Sequence, residues 1–407
     1  MLATMTSALD LPPSNPVADT ALASASVPPQ VAHLQAQVRE ARERRAVLRV
    51  RGHGSKDGIG DIALGEVLDT GACQGIVAYE PSELVITAMA GTPLAEIEAE
   101  LAPRGQYLPF EPPRWGQAPG GPGEPAGNGL GGTVGGMVAC GFSGPARASR
   151  GAVRDHVLGV RMLNGRAQWL RFGGSVMKNV AGFDLARLMA GSMGTLGVLT
   201  EVTLKVMPRP VAECTLRFEC TQAQGIVLIN QWAGQPLPLD ASAWWDGLLV
   251  VRLRGAEAAV AAAVHRLMHE AGGQLVPQTM AESFWMGLRD HQDEFFTRAR
   301  DLILSGKASG ATLWRLSVPA TSKPLTLPGE TLIEWFGAQR WVCTSAPAAM
   351  VHEAAARAGG HALAWVSTVP QPVALPPVLT RLHRQVQHAF DPDGVFDTGR
   401  LWPRASG

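Results

Sequence analysis

GGTVGGMVACGFSGPARASRGAVRDHVLGVRMLNGRAQWLRFGGSVMKNVAGFDLARLMAGSMGTLGVLTEVTLKVMP, residues 131–208, is the stretch on which the fold turns. Two glycine clusters bound it, Gly131-Gly132-Thr133-Val134-Gly135-Gly136 and Gly191-Ser192-Met193-Gly194-Thr195-Leu196-Gly197, and each opens into an apolar run. Glycine at this density lets backbone N–H groups approach a ligand with no Cβ in the way, and successive N–H groups form a nest for an anion. A flexible linker is also glycine-rich, but it does not alternate glycine with Val, Leu, Met and Thr in runs long enough to be buried strands. The stretch therefore points to a phosphate-bearing ligand.

Upstream, Val31 to Arg44 carries apolar residues at helical spacing and feeds the strand-like Ala46-Val47-Leu48. That strand runs into Arg51-Gly52-His53-Gly54-Ser55-Lys56, a turn with two glycines, a hydroxyl and two cations, suited to wrapping a pyrophosphate. The spacing is not that of a Walker A loop. Ile76 to Tyr79 and Leu84 to Ala88 read as strands, followed by a helix with Thr92 as N-cap and Pro93 in its first turn, ending near Pro103-Arg104-Gly105. Gly127, Gly129 and Gly132 satisfy G-x-G-x-x-G, but the preceding Pro/Gly-rich segment cannot be the buried strand that a Rossmann turn requires. Within the central stretch, Leu163-Asn164-Gly165 is a hairpin signal before Gln168 to Phe172, and Arg154 and Asp155 pair at a strand edge or contact the ligand. Asp184 to Met189 reads as a short amphipathic helix.

Composition narrows the class. At 407 residues and 46% hydrophobic, the chain exceeds what one core usually organises, so two domains are expected. Lys+Arg and Asp+Glu number 35 each, which leaves no basic footprint for nucleic acid. Five cysteines without a C-x-x-C pair read as reduced thiols in a cytosolic protein and cannot by themselves hold an iron–sulfur cluster. No run reaches the ~20 apolar residues of a membrane span. Residues 1–30, rich in Ala, Ser, Pro and Thr, lack the basic start and apolar core of a secretory signal and read as a disordered tail.

GGTVGGMVA, RGAVRDHVLGVRMLNG, GSMGTLGVLTEVTLKVMPRP and the upstream RGHGSK resemble the FAD-binding domain of the vanillyl-alcohol-oxidase type of flavoprotein. QGIVAYEPSELVITAMAGTPLAEIE, LPFEPP and VMKNVAGFDLARLMAGS are similar, within that superfamily, to the FAD-binding subunit family of bacterial glycolate oxidases. The match runs from about residue 46 to 211 and resumes at AFDPDGVFDTGRLWP, where Asp397-Thr398-Gly399-Arg400 departs from the N-P-G-R of many relatives. The resemblance implies an α+β fold: a PCMH-type, two-subdomain FAD-binding domain over residues 31–210, a smaller antiparallel-sheet cap over 211–375, and a C-terminal helix and tail, 376–407, returning to the first domain. It implies noncovalent FAD, because the histidine that carries the flavin in some relatives stands two positions after His53, where this chain has Ser55.

The flavin contacts so implied are Arg51, Gly52, His53, Gly54, Ser55 and Lys56 in the first loop, and Pro109 and Glu111 in LPFEPP. From the second loop come Gly131, Gly132, Thr133, Gly135, Gly136, Met137, Gly141, Ser143 and Gly144, followed by Gly151, Arg154, Asp155 and Val157. Gly194, Gly197 and Val198 complete the set, with the Gly197-Val198 backbone free to approach a planar ring and Lys178-Asn179 as scaffold for the flavin edge. The implied partners are a catalytic FAD-binding subunit, an iron–sulfur subunit and a small 2-hydroxy acid substrate of the complex. The implied place is the cytoplasm, with membrane contact only through those partners.

Beyond Pro208-Arg209-Pro210 the composition changes. Strands are expected at Cys214 to Cys220, around the Asp246-Gly247 turn, at Thr312 to Val318, Ile333 to Phe336, Arg340 to Thr344 and Ala362 to Val366. Helices are expected at Gln222 to Trp232, Ala256 to Ala271, Met280 to Arg298, Pro347 to Ala358 and Pro377 to Phe390, with Pro347 in a first turn. Together they suggest an antiparallel sheet covered on one side. Related 2-hydroxy acid dehydrogenases hold substrate with an HxGxGN-like metal cluster; here His361 is followed by Ala-Leu-Ala, so no metal site and no general base is assigned. His265 and His269 share a helix face but lack the H-E-x-x-H base, and the eleven tryptophans, concentrated after residue 230, read as core. Three readings stay open: an electron-passing flavoprotein subunit, a non-catalytic scaffold that keeps the flavin fold, and a stand-alone FAD-dependent alcohol oxidase.

Overall fold

The computed structural model describes residues 26–57, 59, 64–115, 131–174, 183–369, 371 and 375–401. Residues 116–130, Lys178-Asn179 and most of the 1–30 segment lie outside them. Helix α1 (Pro29–Arg44) begins inside the segment read as a tail, because Pro29 at its first turn costs no donor, and it buries Val31, Leu34, Val38 and Ala41 along one stripe. It packs on the parallel pair β1 (Leu48–Arg51) and β2 (Glu66–Asp69) through a core that includes Leu48, Leu68, Val198, Val395 and Phe396.

The next sheet has five antiparallel strands in the order β3-β4-β8-β6-β7. They are β3 (Ile76–Glu80), β4 (Val85–Met89), β6 (Val157–Leu163), β7 (Trp169–Gly173) and β8 (Val198–Lys205). The short strands β5 (Gln106–Tyr107) and β9 (Met207–Pro208) pair with each other. Helices α2 (Leu94–Leu101) and α3 (Val134–Cys140) join this sheet's core through Leu94, Ile97, Val134 and Met137. Thr92 is not the N-cap of α2: its hydroxyl exchanges hydrogen bonds with the backbone of Gly75, and Pro93 takes the cap position. Arg154 and Asp155 sit in a short helix rather than at a strand edge. Helix α4 (Arg147–Arg150) precedes it, and it is itself α5 (Val153–His156), where the Asp155 carboxylate accepts from Ala152 N at 2.8 Å. The expected short helix follows as α6 (Leu185–Leu188), capped by Asp184.

The remaining strands form one eight-stranded antiparallel sheet, ordered β13-β10-β12-β11-β15-β16-β14-β17. They are β10 (Ala212–Glu219), β11 (Leu239–Trp245), β12 (Leu248–Gly255), β13 (Gln274–Leu275), β14 (Thr312–Ser317), β15 (Glu330–Glu334), β16 (Gln339–Thr344) and β17 (His361–Val366). Helices α7 (Gln222–Ala233), α8 (Glu257–Ala271) and α11 (Ala348–Arg357) cover one face, while α9 (Gln278–Asp290) and α10 (Glu294–Leu304) cover the other. The sheet is thus covered on both sides, and its alternation says why: Leu313 and Trp341 enter one core, their neighbours Trp314 and Val342 the opposite one. The single helix expected over Met280 to Arg298 is broken because His291 turns into the left-handed region at φ 54° and Asp293 caps a new helix, accepting from Phe296 N at 3.1 Å. Trp335 and Phe336 are also left-handed, at 52° and 56°, so β15 ends at Glu334. Pro347 is the cap residue of α11 rather than its first helical residue.

Helix α12 (Pro377–Phe390) leads back to β1. Asp391 accepts from Val395 N and Phe396 N, at 2.9 and 2.6 Å, and the Val395 carbonyl accepts from Leu48 N. The two sheets are joined by a buried charge cluster. Glu111 meets Arg252 and Arg254 at 2.7 Å each, Asp240 meets Arg252 at 2.7 Å and Arg150 at 2.8 Å, and Glu213 meets Arg254 at 2.6 Å.

Candidate functional site

The loop after β1 and the start of α3 face each other across a cavity whose wall includes Arg51, Gly52, His53, Gly54, Ser55, Lys56, Thr133, Gly135, Gly136, Gly194 and Gly197. The two phosphate-loop candidates, Arg51 to Lys56 and Gly131 to Gly136, thus converge on one hollow, and the glycine cluster from Gly191 to Gly197 closes it. Thr133 caps α3 by accepting from Gly136 N at 3.2 Å, and Val134 N and Gly135 N donate to the Thr92 and Ala90 carbonyls, so Gly135 and Gly136 offer the hollow a wall without side chains rather than free donors. Gly52 lies so close to Thr133 that a Cβ would stand 2.5 Å from its hydroxyl, and Gly54 takes φ 74°. His53 is tied to the Gly131 carbonyl at 3.2 Å, and Arg51 to Asp57 at 2.6 Å.

Lys56 is the telling residue. It is 8% exposed, its ammonium donates to Ser55 Oγ at 3.1 Å, and no carboxylate pairs with it among the described residues. Burial pulls its pKa below the usual lysine range. A buried cation of this kind needs an anionic partner. The residues present therefore fit a pyrophosphate: a cation, hydroxyl donors and a glycine wall that a Cβ would fill.

Several residues line the hollow that the sequence did not single out: Val50, Asp57, Thr70, Ala90, Ala139, Cys140, Met193, Leu199 and Arg400. Arg400 donates to the carbonyls of Lys56 and Ile59 and so fastens the loop from behind. The tail's G-R pair was the available signal. Other candidates lie elsewhere. Glu111 belongs to the charge cluster, where burial works to raise its pKa but Arg252 and Arg254 outweigh that and hold it to about 2. Gly131 and Gly132 stand at the rim, a Cβ on Gly132 falling 2.9 Å from Lys56 Nζ. Pro109, Met137, Val157 and Val198 are buried. Ser143 Oγ accepts from Val153 N, the Gly144 carbonyl accepts from Trp335 Nε1, and Gly151 turns at φ 90° beside Asp155. Gly141 and Arg154 line a separate cavity between the sheets.

Next to the hollow, on the inner face of the eight-stranded sheet, Trp115, Phe142, His291, Arg315, Glu334, Trp341 and Trp365 surround a small aromatic pocket. Trp115 packs against Phe142, His291 and Trp365 at ring distances of 5.6, 5.2 and 6.0 Å. Burial, with Arg315 and Arg300 near, holds His291 well below the ordinary histidine range, so its ring is neutral at pH 7. Burial pushes Glu334 up to about 7, although Trp341 Nε1 and Gln339 Nε2 both donate to it. Seven separate stretches of the chain build this pocket, and of the residues just named only Phe142 falls in the glycine-rich central stretch. His265 and His269 are exposed on α8.

Comparison with known proteins places this geometry. The FAD binding domain family matches residues 25–173. The chain is 43% identical over 366 residues to the glycolate oxidase subunit GlcE of Escherichia coli, covering 90% of this chain and 95% of that one. It is 30% identical over 141 residues to a D-lactate dehydrogenase of Anaerostipes hadrus, covering 35% of this chain and 26% of the other. Among solved structures, alkyldihydroxyacetonephosphate synthase aligns at a TM-score of 0.58 and 14% identity over 90% of this chain and 75% of that one, a likeness of fold.

Proposed function

Since the chain belongs to the family of the glycolate oxidase subunit GlcE, we propose that it is the FAD-binding subunit of a multi-subunit glycolate, or 2-hydroxy acid, oxidase. In this reading electrons from the oxidation of glycolate to glyoxylate pass through the complex toward an iron–sulfur partner. The single observation that carries flavin binding is Lys56, a buried cation with no carboxylate partner among the described residues, facing the glycine wall of the hollow. Lys56 and Ser55 would hold the pyrophosphate against the side-chain-free wall of Gly135 and Gly136, and Arg400 would keep the first loop in place through the Lys56 carbonyl. Bound there without a covalent link, FAD supplies hydride acceptance and onward electron transfer.

The catalytic FAD-binding subunit and the iron–sulfur subunit are the proposed partners, in the cytoplasm, with the inner face of the membrane reached only through the complex. No helix among the described residues is long and apolar enough to cross a membrane. We place the division between flavin domain and cap at residue 210, since strands up to Lys205 join the five-stranded sheet and those from Ala212 the eight-stranded one. One observation favours a second reading, a scaffold that keeps the flavin fold: indoles and a neutral histidine crowd the pocket beside the hollow. The test is an anaerobic absorbance spectrum of the purified chain, alone and with its partners, before and after glycolate. A flavin reduced only in the complex supports the electron-passing subunit; one bleached in the isolated chain means that it oxidises the acid itself; a colourless folded chain removes the flavin reading.

A further inference from the structure

Between the two sheets lies a cavity of about 560 Å³ whose wall carries Arg147, Arg154, Arg315 and His361 and, among the described residues, no Asp or Glu. It shares Cys140 with the hollow described above, and Arg315 and Phe142 with the aromatic pocket. None of the three arginines forms an ion pair among the described residues. Arg315 gives its Nε to Gln339 Oε1 at 2.7 Å, and the Gln339 amide donates to Glu334, whose buried carboxyl acts on the guanidinium through space without forming an ion pair with it. The guanidinium lies over the rings of Trp335, Trp365 and Trp341 at 5.1, 5.6 and 5.9 Å, and Arg147 lies over Trp335 at 4.4 Å. The indoles hold Arg315 in position but accept nothing from its two Nη groups. A cavity walled by cations of one sign, with a guanidinium fork left over, calls for an anion.

We propose that this cavity binds a small monocarboxylic acid, its carboxylate on the Nη atoms of Arg315, with Arg147 and Arg154 drawing the anion in. The fork of Arg315 matches the two oxygens of a carboxylate, and the indoles beside it offer an apolar surface to the acid's carbon chain, whose small size follows from the function proposed above. That the acid is a 2-hydroxy acid rests on the function proposed above; the site itself rests on the charges.

The test is a calorimetric titration of the purified chain with glycolate, with glycolamide as its neutral match and inorganic phosphate as a rival anion. Tryptophan fluorescence is followed in parallel, because three indoles surround Arg315. Glycolate is expected to bind saturably and glycolamide and phosphate not to, with Arg315→Met weakening glycolate by roughly 10- to 100-fold and Arg315→Lys by less. Should Arg315→Met fail to fold, Arg147→Met is expected to weaken glycolate by about threefold or more. Absence of saturable glycolate binding, equal binding of glycolamide or phosphate, or an unchanged affinity in the folded Arg315→Met or Arg147→Met chain would overturn the proposal. A chain that purifies without flavin speaks against the flavin reading, while its glycolate titration still decides the cavity.

Discussion

Gly135 and Gly136 are neighbours on α3, yet a side chain would meet different surroundings at each. A Cβ at Gly135 would stand 2.6 Å from the Ala90 side chain, in the packing of helix on sheet, whereas at Gly136 only the Thr133 hydroxyl is near, at 3.0 Å, and the hollow lies open beyond. Gly135→Ala is therefore expected to cost about 1–3 kcal/mol of stability by overpacking. Gly136→Asp should fold, since an acid suits the first turn of a helix, but should weaken flavin by about 100-fold or more through repulsion of the phosphates. Bound flavin after gel filtration, with far-ultraviolet dichroism as the folding control, checks both; a yellow Gly136→Asp chain would count against the hollow as the flavin site. Glu334 gives a second prediction. Its folded pKa, near 7, lies above the value of about 4.3 of an unfolded glutamate, so its contribution is fully present below that value and is lost as pH rises to 7. Glu334→Gln keeps an acceptor for Trp341 and has no charge to bury. It is expected to match the parent near pH 4 and to exceed it by roughly 1–3 kcal/mol at pH 8, as read from urea midpoints at the two pH values. Equal differences at both would refute the assignment.

At the scale of elements, the break between α9 and α10 shows how local chemistry overrides periodicity. Apolar spacing continues from Trp285 and Leu288 to Phe295 and Phe296, which is why Met280 to Arg298 reads as one helix, but Asp293 offers a cap three residues before Phe296 N and His291 takes up the reversal. Asp293→Ala is expected to cost about 1 kcal/mol and Asp293→Asn only a few tenths, measured by denaturant midpoint; equal losses in both would mean that the cap bond does not hold the helix. The flavin-domain elements were legible because their signals, the glycine clusters and the apolar stripe of α1, are local, and the Asp246-Gly247 turn marked the β11–β12 hairpin of the other sheet for the same reason. The walls of the hollow were legible for the same reason, as Arg51 to Lys56 are contiguous and meet Thr133 to Gly136 across it. Arg315, His291 and Glu334 were not legible, because a pocket assembled from β14, the α9–α10 turn and β15 leaves no spacing in the chain. Glu111 was misplaced for a related reason: LPFEPP reads as flavin-facing, and only the fold brings Arg252 and Arg254 to it.

For the whole molecule, that carboxylate decides whether the two sheets behave as one body. Glu111 follows β5 on the flavin side, while Arg252 and Arg254 stand on β12 of the other sheet; Ser149 and Arg150 reach Asp240 across the same boundary, and Trp335 Nε1 crosses back to the Gly144 carbonyl. Glu111 has a lowered pKa, so its contribution is complete above about pH 4.3 and is lost as pH falls toward 2. Removing its charge leaves Arg252 with Asp240 alone and Arg254 with Glu213 and, at 3.5 Å, Asp240, so the loss is expected to fall below the cost of a wholly uncompensated buried charge, about 3–5 kcal/mol. Two probes report on the two sides: most tryptophans lie beyond residue 230, while bound flavin reports on the hollow. In the parent chain their urea transitions are expected to coincide. In Glu111→Gln the flavin is expected to be released at a lower urea concentration than that at which the tryptophan signal changes, and acidifying the parent from pH 5 to 3 should move its curves the same way. Coincident transitions in the variant would mean that apolar packing of Phe142 and Trp115 against Trp365, rather than the charge cluster, couples the two sheets.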